Sequence, residues 1–165
     1  MDRSTRPVLS RGTLRSDGPD RTRTIGRSLG RGAAPGTVLA LVGELGAGKT
    51  QLAKGVADGL GVRGVVNSPT FVLMNEHAGR LRLFHIDAYR LGDPEEALTA
   101  GFLDDRHADG VVVIEWADRL DGLLPEDRLE ITLRTPPDEP DARLLDWEAH
   151  GDGHERLARE AMQVP

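Results

Sequence analysis

The sequence predicts an α/β fold in which a mixed parallel and antiparallel central sheet is flanked by helices. Three observations lead to this prediction. The apolar run Val38–Val42 leads into a glycine-rich turn and then into a helical pattern. A second apolar run, Val111–Ile114, is typical of a strand that is buried on both faces. Segments of alternating hydrophobicity after the turn add more strands than a simple doubly wound domain has.

The chain before the glycine-rich turn is predicted to form a tail, a strand and a helix. Residues 1–12 lack periodicity and contain scattered Arg, Ser and Pro, which predicts a disordered Arg-rich tail. Thr13–Ser16 has the length of a short edge strand. Asp17–Asp20 supplies a cap residue and an early proline, so we expect a helix over Thr22–Ala33, although its glycines weaken the pattern.

The chain after the turn is predicted to alternate between short strands and short helices. The helix that follows the turn is expected to end near Gly59–Gly61. Strands at 71–74 and 81–87 flank a turn at 77–80, so we expect them to pair antiparallel. The remaining expected elements are a helix at 94–101, a helix or loop at 103–109, a strand at 111–116, a loop or helical turn at 117–124, strands at 129–133 and 143–149, and a helix at 153–162.

Length and composition bound the class of protein. A chain of 165 residues suits one domain with a substantial core. No apolar run approaches the length of a membrane span, and no apolar segment of a secretory signal follows the first arginines. The absence of cysteine excludes disulfides, thiolate zinc sites and cysteine nucleophiles. We therefore expect a cytoplasmic protein.

Charge is distributed unevenly along the chain. Residues 1–31 contain eight Arg and three acidic residues, a net charge of +5, whereas the remainder contains 13 basic and 24 acidic residues, a net charge of −11. An acidic body argues against broad nucleic-acid binding by this chain alone. The basic N-terminal stretch is either a solvated flexible tail or a contact arm.

The glycine-rich turn fits the phosphate-binding pattern G-x-x-x-x-G-K-[ST] over Gly43–Thr50. Glycines allow successive backbone N–H groups to point at phosphate oxygens, and the following helix adds its positive N-terminal end. Lys49 brings a mobile charge to the β- and γ-phosphates, and the Thr50 hydroxyl can bind Mg²⁺. We therefore expect one P-loop NTPase domain over residues 13–165. ATP is the expected nucleotide because the chain lacks the guanine-reading N-K-x-D motif.

Two predicted strands end in an acidic residue. Leu81–Ile86 is followed by Asp87, and Val111–Ile114 is followed by Glu115. Magnesium takes oxygen ligands, and ligands of open α/β sheets bind at the carboxyl ends of the strands. We therefore expect both carboxylates to face a metal site, the alternative being ordinary exposed strand ends.

Three further features each have two interpretations. The turn Ser68-Pro69-Thr70 is either an ordinary turn or a switch that senses the γ-phosphate. His85 precedes Asp87 by two residues and would share its strand face, as a packed or a catalytic histidine. Trp116 either packs in the core or stacks near the nucleotide.

Four motifs together resemble those of the TsaE family. Members of that family are small bacterial P-loop ATPases that are needed for threonylcarbamoyladenosine on tRNAs that read codons beginning with A. The motifs are Gly43–Thr50, Ser68–Thr70, His85–Leu91 and Glu115–Trp116, within a resemblance over about Thr13–Leu133. Thr22–Gly26 also resembles the family's T-x-x-L-G helix pattern, with Ile25 in place of Leu.

The resemblance implies a role for each motif. Thr22 lies near the nucleotide, Trp116 flanks the site, and Ser68–Thr70 forms the switch. Thr50 and Glu115 bind Mg²⁺, and Asp87 supports the metal or the attacking water. The implied phosphate cradle comprises Glu44, Leu45, Gly46, Ala47, Gly48, Lys49 and Thr50, and the implied catalytic residues are Lys49, Asp87 and Glu115.

The resemblance also implies partners. These are TsaD, which transfers the threonylcarbamoyl group, and TsaB, with tRNA reached only indirectly; slow ATP hydrolysis resets the TsaB–TsaD assembly. Two other functions stay open. A small-molecule phosphotransferase would need an arginine-rich lid, for which Arg90 and Arg106 are poor candidates. A nucleotide-sensing module would use ATP only to order the 68–70 turn.

Overall fold

A seven-stranded mixed sheet crosses the part of the chain that the computed structural model describes, which is residues 7–44, 46–64, 66, 74–89, 108–120 and 122–163. The strands are β1 (Ser10–Ser16), β2 (Val38–Gly43), β3 (Met74–His77), β4 (Leu83–Asp87), β5 (Val111–Glu115), β6 (Arg128–Arg134) and β7 (Arg143–His150). The helices in these ranges are α1 (Pro19–Gly32), α2 (Lys49–Gly59) and α3 (Asp152–Ala161), with a 3-10 helix at Ala117–Leu120.

The strand order is β1-β7-β6-β2-β5-β4-β3. Strands β6, β2, β5 and β4 run parallel, while β7 and β1 at one side and β3 at the other pair antiparallel. The predicted α/β fold with a mixed sheet and flanking helices is therefore confirmed. Because β2, β4 and β5 are parallel, their carboxyl ends at Gly43, Asp87 and Glu115 meet at one edge of the sheet.

Apolar side chains of the central strands alternate between two core clusters, one on each face of the sheet. The larger cluster lies under the three helices, where Leu39 of β2 joins Leu29, Val56 and Leu157 from α1, α2 and α3. The smaller cluster lies on the opposite face and includes Ala40, Ile86, Ile114, Ala117 and Leu120. Burial on both faces fixes the central strands, so the loops at their carboxyl ends start from a rigid base.

The first strand begins earlier than predicted. Residues Ser10–Gly12, which the sequence places in the predicted tail, belong to β1 and pair with β7. The Trp147 indole packs over Gly12, where an added Cβ would lie 2.8 Å from it. Local periodicity missed these residues because their pairing and packing partners lie more than 130 positions away. Residues 1–6 lie outside the described ranges.

Other element boundaries follow the predictions with local shifts. Antiparallel pairing of the two strands is confirmed, but β3 extends through His77 into the predicted turn, and 71–73 lie outside the described residues. Strand β5 ends at Glu115 because Trp116 takes a left-handed φ of 58°. The stretch after it forms one 3-10 helical turn. The predicted helix at 94–101, and residues 103–107 of the predicted helix or loop at 103–109, lie outside the described part.

Glycines bring α1 and α2 into close contact. A Cβ at Gly26 would lie 2.3 Å from the carbonyl oxygen of Leu52, and one at Gly30 would lie 2.2 Å from that of Val56. From the other helix, a Cβ at Gly55 would lie 2.1 Å from a backbone oxygen of α1. The glycines that weaken the helix pattern of α1 in the sequence are therefore its packing surface against α2.

Gly30→Ala is expected to lower the free energy of unfolding by at least about 2 kcal/mol, because the added methyl group collides with rigid backbone. The matched control is Gly153→Ala in α3, where no heavy atom lies within 4 Å of the added Cβ. We expect this variant to gain up to about 1 kcal/mol from helix propensity. Urea unfolding of both variants measures the difference, and equal midpoints would contradict this account of the helix contact.

His154 connects α3 to the start of β2. The backbone N–H of Val38 donates a hydrogen bond to Nε2 of His154 at 3.0 Å, so Nε2 carries no proton. The pKa of His154 is lowered to about 4, chiefly by burial; Asp127 opposes this shift, and His150 and Arg128 add to it. The ring is therefore an uncharged acceptor that anchors the strand leading to the glycine-rich turn.

Acidification is expected to destabilise the fold through His154. The unfolded chain binds the proton more tightly, since the pKa falls from 6.5 to about 4 on folding. The contribution of the uncharged His154 ring to the free energy of unfolding is complete above pH 6.5. It is lost as the pH falls toward 4, by about 3 kcal/mol in total. His154→Gln keeps an oxygen acceptor that does not titrate. Urea unfolding at several pH values should therefore show a flatter profile for this variant, and an unchanged slope would exclude His154 as the cause.

None of the described helices has the length and apolar character needed to cross a bilayer.

Candidate functional site

The glycine-rich turn connects the end of β2 to the start of α2. A Cβ at Gly43 would lie 2.7 Å from the carbonyl oxygen of Leu133 on the neighbouring strand, so the turn leaves the sheet where only glycine fits. Gly48 precedes α2 with a φ of 104°, which also favours glycine. Glu44, Gly46 and Ala47 lie between them, with Ala47 N–H donating to the Glu44 carbonyl at 3.0 Å. Leu45 lies outside the described residues.

Lys49 is folded over the mouth of this loop. Its Nζ donates to the carbonyl oxygens of Gly43 and Glu44, the latter at 2.8 Å. The same Nζ lies 4.0 Å from the centre of the Trp116 ring, a cation–π contact. Burial lowers the pKa of Lys49, and the Glu115 carboxylate is the largest of the charges that oppose this. The ammonium group thus stands where it can exchange loop carbonyls for phosphate oxygens.

Glu115 forms a buried junction at the end of β5. Its Oε1 accepts a hydrogen bond from the Thr50 hydroxyl at 2.9 Å, and its Oε2 lies 2.5 Å from Nε2 of His85. Glu115 and His85 are only 2% and 0% exposed. A hydroxyl oxygen beside a carboxylate oxygen is the hard donor set that Mg²⁺ prefers, so these residues fit a magnesium ion.

Asp87 lies beside Glu115 at the same edge of the sheet. The two residues are register partners across β4 and β5. Asp87 Oδ1 accepts the backbone N–H of Tyr89 at 2.9 Å, which fixes one oxygen of the carboxylate. The structure therefore brings together the two strand-end acids that the sequence singled out.

Thr22 is buried behind the loop. Its methyl group lies 3.8 Å from the position that a Cβ on Gly48 would take. Its hydroxyl is hydrogen-bonded to the Ser16 hydroxyl at 2.7 Å and to the Gly18 carbonyl at 3.3 Å. The side chain thus supports the back of the loop through the corner between β1 and α1.

Trp116 lies between the smaller core cluster and Lys49. Its indole packs against the smaller core cluster and also covers Lys49. Its ring centre lies 4.8 Å from that of Tyr89, which in turn faces the Arg119 guanidinium at 5.6 Å. The left-handed backbone at Trp116 turns the side chain over the glycine-rich loop.

Arg143 contacts the loop but was not among the predicted site residues. Its Nε donates to the Ala47 carbonyl at 3.1 Å and its Nη2 to that of Gly46 at 3.2 Å. It lines a cleft of about 610 Å³ together with Trp116, Asp118 and the end of β6. Its role was invisible in the sequence because the loop lies almost 100 positions earlier. The predicted switch, Ser68-Pro69-Thr70, lies outside the described residues.

A buried parallel strand, a glycine-rich turn that caps a helix, and a glutamate at the end of the adjacent strand define an α/β domain of the P-loop NTPase fold class. A family model described as threonylcarbamoyl adenosine biosynthesis protein TsaE matches residues 16–143. The chain belongs to the TsaE family, as its motifs predicted.

Individual relatives agree with this assignment. The tRNA threonylcarbamoyladenosine biosynthesis protein TsaE of Bacillus subtilis is 41% identical, over 88% of this chain and 90% of its own. Its namesake in Treponema pallidum is 42% identical, over 68% of this chain and 84% of its own. The crystal structure of YdiB from Bacillus subtilis superposes with a TM-score of 0.77 at 36% identity and covers 93% of this chain and 95% of that one.

Proposed function

We propose that this chain binds ATP with Mg²⁺ and hydrolyses it slowly as an accessory protein in threonylcarbamoyladenosine modification of tRNAs that read codons beginning with A. The single observation that supports this most is the junction in which Glu115 meets Thr50 beside the glycine-rich loop and Lys49. Membership of the TsaE family supplies the biosynthetic context.

The residues of the loop would bind the phosphates. Backbone N–H groups at the start of α2 would donate hydrogen bonds to the phosphates, aided by the helix dipole. Lys49 would leave the Gly43 and Glu44 carbonyls for the β- and γ-phosphates. Arg143 would hold the loop in shape from β7.

The two acidic residues at the strand ends would bind the metal and orient the water that attacks the γ-phosphate. Thr50 and Glu115 would hold Mg²⁺, whose charge neutralises phosphate oxygens. Asp87 would orient the attacking water or support the metal through its carboxylate, whose Oδ1 also accepts the Tyr89 N–H. Trp116 would cover the phosphate side of the site, since its ring already lies over Lys49.

The proposed recipients of the ATP cycle are TsaB and TsaD. This chain has a formal net charge of −6, which suits an action through protein partners better than direct binding of tRNA. In this proposal the turn Ser68–Thr70 senses the γ-phosphate, and the chain does not itself transfer the threonylcarbamoyl group.

ATP hydrolysis measured with and without purified TsaB and TsaD tests the proposal. We expect slow hydrolysis that rises when both partners are present. A hydrolysis rate that does not change when both partners are added would contradict the accessory role. Transfer of phosphate to a metabolite would favour a small-molecule phosphotransferase instead. If hydrolysis is absent but a non-hydrolysable ATP analogue strengthens capture of TsaB and TsaD, the chain is a nucleotide-sensing module.

A further inference from the structure

We propose that His85 is a positioning residue that fixes the Glu115 carboxylate so that one oxygen faces Thr50. The inference deepens the proposed function and rests on it. It assigns His85, which the sequence left between packing and catalysis, to a role that acts through Glu115.

The geometry gives each carboxylate oxygen of Glu115 a different partner. Oε2 lies 2.5 Å from Nε2 of His85, and Oε1 accepts the Thr50 hydroxyl at 2.9 Å. His85 and Glu115 lie on the adjacent parallel strands β4 and β5, which are buried within the sheet. With Oε2 paired to the ring, Oε1 is the oxygen that faces Thr50 and the proposed metal position.

The position of the ring hydrogen follows from the surroundings. A carboxylate accepts hydrogen bonds, so Nε2 of His85 is the donor in this pair. Nδ1 is buried and has no hydrogen-bond partner among the described residues. In the tautomer with its hydrogen on Nε2, the one N–H group of the ring therefore has an acceptor. The same ring on the other tautomer would lose the contact with Glu115 and bury an unsatisfied donor.

Loss of this donor would free the carboxylate to rotate. Residues that orient a metal ligand typically change metal affinity by about 10- to 100-fold when they are replaced. The binding of nucleotide phosphates by the loop and Lys49 does not involve His85, so affinity without metal should persist.

Two amide variants of different length test the role. In His85→Gln the side-chain amide reaches the level of Nε2, whereas in His85→Asn it is one methylene group shorter and stops at the level of Nδ1. We expect His85→Asn and His85→Leu to weaken Mn²⁺ binding about 10- to 100-fold, measured by electron paramagnetic resonance with a non-hydrolysable ATP analogue. His85→Gln should stay within about threefold of the wild type. Affinity for a fluorescent nucleotide without metal should be the same in all of them.

The outcomes separate this inference from the proposed function. Wild-type Mn²⁺ affinity in both His85→Asn and His85→Leu would overturn the inference alone. A wild-type chain whose nucleotide binding does not respond to Mn²⁺ would overturn the proposed function and the inference with it.

A measurement on the wild-type chain avoids any effect of substitution on folding. Long-range proton–nitrogen spectra of protein labelled at histidine should show the His85 hydrogen on Nε2, with and without nucleotide and Mg²⁺. A hydrogen on Nδ1 and none on Nε2 would overturn the inference.

Discussion

Lys49→Ala is expected to weaken ATP binding by about 100-fold, because hydrogen bonds from a charged donor contribute up to about 3 kcal/mol. Lys49 is 4% exposed, and its Nζ is already held at the mouth of the loop by the Gly43 and Glu44 carbonyls. No other lysine of the described residues stands at the loop, so the phosphates would lose their mobile counter-charge. Titration calorimetry with ATP and Mg²⁺ measures the effect.

Lys54→Ala is the matched control for this prediction. Lys54 lies on the same helix, five positions further on, and lines a different cavity with Arg23 and Asp58. Lys54→Ala should leave ATP affinity within about twofold of the wild type, since Lys54 is a partly exposed charge that does not contact the loop. Equal losses in the two variants would show that general electrostatics, and not the loop, governs binding.

The sequence was sufficient to predict those features that are written in short contiguous segments. The apolar run before Gly43, the glycines of the turn and the helical pattern after Lys49 all lie within one stretch of chain. The acids at the ends of β4 and β5 could be placed at one edge because parallel strands share the direction of their carboxyl ends. The local sequence pattern and the shared direction of parallel strands were therefore enough to locate the loop, Asp87 and Glu115.

Features that depend on distant partners could not be predicted in this way. Arg143 gains its role by reaching the carbonyls of Gly46 and Ala47 from β7, and no local pattern marks it. The glycines of α1 weaken its helical signal because single-helix propensity ignores the contact with α2. His85 could be placed on the correct strand face, but its hydrogen bond to Glu115 depends on the register of β4 against β5.

Glu115→Gln is expected to lower Mg²⁺-dependent ATP hydrolysis by about 100-fold or more while ATP affinity changes by less than about fivefold. The substitution keeps the shape of the side chain and removes the charge that faces Thr50. Phosphate binding by the loop and Lys49 stays in place, so the loss should appear in turnover. Single-turnover hydrolysis over a range of Mg²⁺ concentrations, with ATP affinity measured in parallel, distinguishes the two effects.

Glu130→Gln on β6 is the control for Glu115→Gln, because Glu130 pairs with Arg128 at 2.6 Å and takes no part in the Thr50 junction. It should hydrolyse ATP at the wild-type rate. If Glu115→Gln did so as well, the metal assignment would pass to Asp87, the register partner of Glu115 at the same edge of the sheet. In that case Asp87→Asn should abolish the dependence of hydrolysis on Mg²⁺. If Glu115 is the ligand, Asp87→Asn should instead reduce turnover, and the Mg²⁺ concentration that gives the half-maximal rate should stay within about threefold of the wild-type value.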